Sequence, residues 1–395
     1  MSQDVFIVAA KRSPVCKAGG VLSTIRPDDL LAEVMKSTLK QINSIELENI
    51  DDVIIGCAMP EGAQGMNVAR VSALLAQLPN SVPGMTVNRF CASGLEAIAL
   101  GASRIQMGDA NMIMVGGVES MSQVPMRGHQ FSANPKFFID DHLKSLAYSM
   151  GITAEKVAQK WNISREEQDK FALASHKKAL NALAEGVFND EITPISVKFN
   201  EFNIDNHLPV SHQMIVNQDV GPRKESSLEL LDKLKPVFNK KGSVTAGNSS
   251  QRSDGAAVLI LVSESYLKKY NLKPLARFMG YQTAGVAPEY MGIGPVAAVP
   301  LLLKKNALSQ SQIQWIELNE AFAAQSLAVI NELQLDVDLV NPYGGAIALG
   351  HPLGATGAIK ATTLIHAMQR NKMKYGLVTL CVGMGMGVAG LFEAV

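Results

Sequence analysis

The stretch VNRFCASGLEAI, Val87 to Ile98, sets a cysteine between a short apolar strand and the first turn of a helix. A free thiol is only a few per cent ionised at neutral pH, and the N–H groups and dipole of a helix's first turn favour the anion. Cys91 is therefore placed as a candidate nucleophile. Ala92, Ser93 and Gly94 are small enough for a substrate carbonyl to approach backbone donors, as an oxyanion hole requires. A buried structural cysteine is the alternative reading of the same window.

Three further stretches carry matching chemistry. NPYGGAIALGHPLGATGA crowds Gly344, Gly345, Gly350, Gly354 and Gly357 around His351, a composition suited to backbone meeting ligand, and the imidazole can take a proton from a thiol. The other histidines, at 129, 142, 176, 207, 212 and 366, stand mostly in polar contexts and read as structural or solvated. In TLCVGMGMG, Cys381 ends an apolar strand before alternating glycines, where a second thiol can move a proton or simply fill a tight turn. In ELNEAFAAQ, Asn319 either caps the following helix or orients a water or carbonyl. Arg223, Lys233, Lys235, Lys240 and Lys241 form basic runs, which are solvated faces unless they border a pocket that takes phosphates.

The elements that must position these residues form an α/β pattern. DVFIVAA, DDVIIGCAM, PGMTVN and NMIMVGG read as strands separated by helical spacings, the last helix ending at Gly108. The order returns near the C-terminus, where Ala358, Ala361, Ile365 and Met368 repeat the offsets of the helix after Cys91 and YGLVTLC answers NMIMVGG. Two related units follow, whose equivalent strand ends meet at one face where α/β proteins bind ligands. That places Cys91 and Cys381 in one pocket. The expected division is an N-terminal domain of residues 1–118 and 250–270, a covering loop domain of 119–249 with a charged helix from about Ser164 to Glu185, and a C-terminal domain of 271–395.

Composition narrows the function classes. The chain has 395 residues, 47% of them hydrophobic, and 36 basic against 36 acidic residues, so any anion site is local and neither nucleic acid nor an acidic membrane is an expected partner. No apolar run approaches the roughly 20 residues that span a bilayer. No secretory or peroxisomal signal is read at either end, and the four cysteines (16, 57, 91 and 381) make no disulfide framework, so a cytoplasmic location is expected.

With these blocks assembled, the chain resembles the thiolase family from VAAKRSP to GLFEAV. NRFCASGLEAI, GGVESMSQVP, MGITAE, VTAGNSSQRSDGAA, NEAFAAQ, GGAIALGHPLGATGA and CVGMGMG stand in the family's order and spacing. The resemblance implies a duplicated α-β-α-β-α layered fold of five-stranded layers with a loop domain over the site, in a homodimer or homotetramer. It implies Cys91 as acyl-accepting nucleophile, His351 as its base and Cys381 as the thiol that moves the α-proton of acetyl-CoA. Asn319 would hold a water beside His351, and the N–H groups of Cys91 and Gly383 would face the other oxyanion. For coenzyme A the family pattern falls on Met150, Arg223, Ala246, Ser250 and Phe322.

The implied reaction is cleavage of a 3-ketoacyl-CoA by CoA to acetyl-CoA and a shortened acyl-CoA, with ping-pong kinetics, CoA as substrate and no metal or redox cofactor. Ser149, where acetoacetyl-CoA thiolases tend to have histidine, and GNSSQRSDGAA favour a degradative enzyme of fatty acid β-oxidation over acetoacetyl-CoA thiolase, the alternative. A hydratase and dehydrogenase subunit is a further possible partner by the same resemblance. A decarboxylating condensing enzyme would need a second histidine in place of Asn319 or Cys381. A dinucleotide oxidoreductase would need a G-x-G-x-x-G in its strand-to-helix context, and neither feature is present. A non-catalytic protein of the same fold would have little use for both thiols, His351 and Asn319.

Overall fold

The computed structural model describes residues 3–42, 45–202 and 209–395; His207 lies outside them. The strands are β1 (Val5–Arg12), β2 (Cys16–Lys17), β3 (Asp52–Gly56), β4 (Gly84–Val87), β5 (Met112–Ser120), β6 (Ile195–Phe202), β7 (Pro209–Val216), β8 (Ser253–Ser263), β9 (Ala276–Gly285), β10 (Trp315–Leu318), β11 (Tyr375–Val382) and β12 (Met386–Glu393). All but the β6–β7 hairpin belong to one 10-stranded sheet in the order β10-β11-β12-β9-β1-β8-β5-β3-β4, with β2 beside β8.

The duplication is explicit in the pairings. In the N-terminal half β4, β3 and β5 run parallel, and β8 and then β1 join antiparallel. In the C-terminal half Val340 bridges β10 in parallel, β10 runs parallel to β11, and β12 and then β9 join antiparallel. The fifth strand of this half is reduced to that single bridge. The two halves are joined rather than separate, because β1 also bonds β9 over Val5–Ile7.

Strand residues alternate between an inner apolar cluster and one of two outer ones, which is why the strands read as continuous apolar runs. Ile54, Ile113, Val115, Leu259 and Leu261 face inward onto the helices Ser93–Met107 and Thr356–Asn371, together with Val378, Leu380 and Val388 from the other half. Val53, Ile55, Met112, Met114, Val258 and Ile260 face the helix Pro27–Leu39 and its neighbours. Ile316, Leu318, Leu377 and Leu391 face the helices Gly294–Lys305 and Ala323–Leu333. Five layers result, with the two motif-bearing helices in the middle one. The helix Ser93–Met107 ends at Gly108 in the left-handed conformation (φ 85°), as its spacing predicts.

Between β5 and β8 the chain supplies the helices Met150–Lys160 and Arg165–Ala184 and the hairpin. The longer helix starts under a reciprocal cap between Ser164 and Glu167. The segment is tied to β1 by the fully buried Arg12, whose guanidinium grips Glu191 (2.5 Å) and, with both η nitrogens, Asp219 (2.7 and 2.9 Å). No helix among the described residues is long and apolar enough to cross a membrane.

Candidate active site

Cys91 sits in a turn that side chains hold shut. After β4, Asn88 donates to the Ala58 carbonyl (3.0 Å) and accepts the N–H of Phe90 (2.8 Å), while Ser93 Oγ accepts the Arg89 N–H (2.9 Å) and donates to the Phe90 carbonyl (2.6 Å). Arg89 in turn pairs with Glu96 one helical turn further on. These bonds hold Phe90 at φ 45°, a left-handed conformation unusual for a bulky residue, and the chain then passes through one 3-10 turn, Phe90–Ala92, into the helix. Cys91 keeps part of its surface exposed, with its sulfur enclosed against Ala58, Met121 and Leu353.

His351 comes from the loop before the matching helix in the other half, three residues ahead of Gly354, which takes the place of Cys91 there. Gly350 precedes it at φ 107°, where a Cβ would meet Ser253 Oγ at 2.3 Å, so only glycine lets the loop turn against β8. The His351 N–H bonds the Gln251 carbonyl (3.0 Å). Its Nδ1 lies 2.6 Å from Thr356 Oγ1 and its Nε2 lies 3.4 Å from Asn319 Nδ2. With Nδ1–H donating to Thr356, Nε2 carries the lone pair, which accepts from Asn319 Nδ2. Asn319 does not cap the following helix, whose first turn is closed by Gln325 accepting the Phe322 N–H (3.2 Å). Its Oδ1 is buried without a partner among the described residues, an acceptor directed at a ligand or water.

Cys381 is the next-to-last residue of β11, and the N–H of Gly383, two residues on, is directed at the Cys91 sulfur and favours its anion. The two thiols are near enough for the charge of one to raise the pKa of the other. The structure thus brings Cys91, His351, Asn319, Cys381 and Gly383 to the meeting of the two halves. The resting charge state differs from the primed thiolate that the helix start suggests. Burial pushes the Cys91 thiol up to about 12, outweighing the N–H groups of Gly383 and Cys91, and Glu119 adds to the rise. Burial also raises Cys381 and lowers His351 to about 3, with Lys360 adding to the drop. Thiol and imidazole are both neutral until a reactant arrives.

Met150 and Phe322 join Cys381, Ala154, Val244, Met291 and Ala321 in one apolar cluster, and Met150 Sδ stands 3.7 Å from where a Cβ on Gly383 would be. Ser250 is bonded beside it, its N–H on the Ala321 carbonyl (3.0 Å), and Ala246 is exposed on the same loop. Arg223 stands apart. Its side chain is exposed and its N–H bonds His176 Nδ1 (3.2 Å), beside a loop in which Gly221 abuts the Ala348 carbonyl.

Two buried carboxyls escape a reading from spacing. Glu119, at the end of β5, accepts the N–H groups of Ala58 (2.8 Å), Met59 (3.1 Å) and Gly354 (2.8 Å), so one side chain sets both the floor under Cys91 and the turn after His351. Glu320 accepts from Ser175 (2.7 Å), Asn341 (2.9 Å) and the Ile347 N–H (3.2 Å), fixing the glycine-rich loop. The available signal is an acidic residue at or just past the end of a fully buried strand. Cys16 and Cys57 are buried in the outer core.

Two thiols, an imidazole and an unpartnered amide oxygen, set by a duplicated five-layer fold, define an acyltransferase of the thiolase type. Comparison with known proteins agrees. The thiolase N-terminal domain matches residues 5–265 and the thiolase C-terminal domain residues 272–394, so the chain belongs to the thiolase family. It is 49% identical over 392 residues to the 3-ketoacyl-CoA thiolase of Bacillus subtilis (strain 168), covering 99% of each chain. Among solved structures it is similar to the Bacillus anthracis acetyl-CoA acetyltransferase (TM-score 0.90, 40% identity, 100% and 99% of the chains). It is likewise similar to human mitochondrial 3-ketoacyl-CoA thiolase in complex with CoA (TM-score 0.88, 38% identity, 100% and 98% of the chains).

Proposed function

We propose that this thiolase cleaves 3-ketoacyl-CoA thioesters with CoA, in the manner of fatty acid β-oxidation, through an acyl group carried on Cys91. The observation that carries the reading is the meeting of the Cys91 and Cys381 thiols from separate halves, with the Gly383 N–H on one sulfur. Cys91 attacks the ketone carbon as its proton passes to His351 Nε2. The C2–C3 bond then breaks and acetyl-CoA leaves as its enolate, whose oxygen a water held by Asn319 and the imidazole stabilises. Cys381 gives the enolate carbon its proton, and CoA takes the acyl group from Cys91 in the second half-reaction. The N–H groups of Cys91 and Gly383 receive the oxyanion of each tetrahedral intermediate.

The CoA thioester lies against Met150, Phe322, Ser250 and Ala246, with Arg223 toward its phosphate end. Residues 119–249 serve as the loop domain over this site. No cofactor beyond the CoA substrates is needed, and the enzyme works in the cytoplasm as a dimer or tetramer. The name and identity of the Bacillus subtilis relative support the 3-ketoacyl class. So does Ser149, which accepts the Ile152 N–H as the cap of the helix Met150–Lys160. Acetoacetyl-CoA thiolase is the second reading, favoured by the likeness to an acetyl-CoA acetyltransferase structure.

The test is mass spectrometry after brief incubation with acetyl-CoA, with the acyl adduct expected on Cys91 and absent from Cys91→Ser. An adduct on another residue overturns the assignment. Turnover from acetoacetyl-CoA to 3-ketopalmitoyl-CoA then separates the two classes: activity extending to the long thioesters is expected, and activity confined to acetoacetyl-CoA selects the second reading.

A further inference from the structure

Beside the loop that carries His351 lies a cavity of about 30 Å³ walled by Gly350, Thr356, Lys360 and Glu317 and by the paired Arg12 and Asp219. Thr356 and Lys360 are one turn apart on the same helix, so both project to one side of it. The Lys360 ammonium is buried, bonds Glu317 Oε2 at 2.9 Å, and faces a carboxylate whose other oxygen accepts from Trp315 Nε1 at 2.8 Å. A lysine and a glutamate in a helix and strand otherwise packed with small and apolar residues serve no fold requirement that apolar side chains would not meet, since such pairs are costly to desolvate.

We propose that Lys360, anchored by Glu317, is a positioning residue for His351 that holds the imidazole as a single-proton base, with its proton on Nδ1 toward Thr356 and its lone pair on Nε2. Among the described residues, the titratable groups around His351 are Cys91 and Cys381, Glu119 behind Gly354, Arg252 bridged to it just ahead of β8, Glu320 under its loop, the Lys360–Glu317 pair and, across the cavity, the Arg12–Asp219 pair. Cys91 and Cys381 are neutral thiols, and burial pushes the Glu320 carboxyl up toward its neutral form. Glu317 is already committed to Lys360, Asp219 to Arg12, and Glu119 to donors from Ala58, Met59, Gly354 and Gln64. A second proton on the imidazole would therefore add a cation to a low-dielectric space beside one already there, without a free carboxylate to offset it. In the acyl-transfer reading, on which the catalytic part of this inference rests, the proton that His351 takes from Cys91 is passed on rather than kept.

The experiment reads His351 directly, by proton–nitrogen correlation spectra of protein with labelled histidine, the signal assigned by its loss in His351→Asn. In the unaltered protein, with its titration lowered to about 3, His351 is expected to stay singly protonated at Nδ1 from about pH 8 down to about pH 4.5. In Lys360→Met burial still holds the imidazole down but its titration moves up by about two units and enters the acid end of that range, while Lys360→Arg keeps the original behaviour. In parallel, kcat/KM for thiolysis falls more steeply on acidification in Lys360→Met than in Lys360→Arg. A folded Lys360→Met in which His351 stays singly protonated over the same range overturns the proposal. Should that variant fail to fold, Lys360→Met/Glu317→Gln carries the test, with the same upward movement expected and an unmoved His351 overturning it. If no ketoacyl thioester is turned over at all, the acyl-transfer reading falls while the spectra still decide the role of Lys360.

Discussion

Gly94 and Gly357 hold matching positions in the two central helices, and each lies against the backbone of the other helix. A Cβ on Gly94 would stand 2.8 Å from the Ala358 nitrogen, and one on Gly357 would stand 2.5 Å from the Leu95 nitrogen. The helices can cross this closely only because both residues lack a side chain. The crossing lies one turn from Cys91 on one side and next to the Thr356 that holds His351 on the other.

Gly357→Ala is accordingly expected to destabilise the fold by about 1–3 kcal/mol, because backbone and not a flexible side chain must give way. Denaturant unfolding measures this, and acyl transfer to Cys91 should fall as well because the two helix starts are pushed apart. Gly285→Ala is the control. A Cβ there meets nothing within 4 Å, and a shift within about 0.5 kcal/mol is expected. Equal effects at the two positions would show that the close crossing does not matter.

The same crossing explains what could be read in advance. The glycine and small-residue motifs, the alternating strands and the repeated helix offsets are local patterns, and they placed Cys91, His351, Cys381 and Asn319 at strand ends and helix starts that the fold brings together. The capping alternative for Asn319 fails because Gln325 closes that helix start, a contact settled only by the side chain's path. The charge state of the site was not legible. A helix N-terminus is visible in sequence, whereas the enclosure of the Cys91 sulfur comes from Ala58, Met121 and Leu353, which are distant along the chain. Glu119 was hidden for the same reason, since its three N–H partners lie in two separate segments.

That charge state has a pH signature. With the Cys91 thiol pushed up to about 12, its thiolate fraction grows about tenfold per pH unit throughout the range below that value. Alkylation by iodoacetamide should therefore keep accelerating from about pH 7 to about pH 9 without levelling. With His351 lowered to about 3, the imidazole stays unprotonated on acidification past the ordinary histidine value, so kcat/KM for acetoacetyl-CoA should show no acid limb near pH 6.5. An alkylation plateau by about pH 8 would mean that the N–H donors and helix dipole outweigh burial.

Glu119→Gln tests the brace shared by the halves. The carboxylate accepts from three backbone N–H groups and from the Gln64 side chain, and an amide would turn a donor toward donors. A loss of about 2–3 kcal/mol is expected, from at least one buried N–H left unsatisfied. Because Gly354 is one of the three, acylation of Cys91 should slow by more than the fraction of unfolded protein explains. Unchanged acylation in a destabilised but folded variant would confine Glu119 to stability.

Cys381→Ser separates the two chemical duties assigned to the thiols. Acyl transfer from acetyl-CoA needs a nucleophile, a base for its proton and oxyanion donors, and Cys91, His351 and the Gly383 N–H supply these without Cys381. Removing or returning an α-proton of acetyl-CoA needs an acid–base group at the enolate carbon, and a serine hydroxyl is too weak an acid to replace the thiol. The variant should still form the acyl adduct on Cys91 by mass spectrometry, while exchange of the acetyl protons of acetyl-CoA with deuterated solvent slows by at least about a hundredfold. The serine is smaller than the cysteine and lies in the Met150–Phe322 cluster, so packing changes little and the adduct serves as an internal control for the fold of the site. Exchange at the unaltered rate would move the proton-transfer role from Cys381 to His351, the remaining base at the meeting of the two halves.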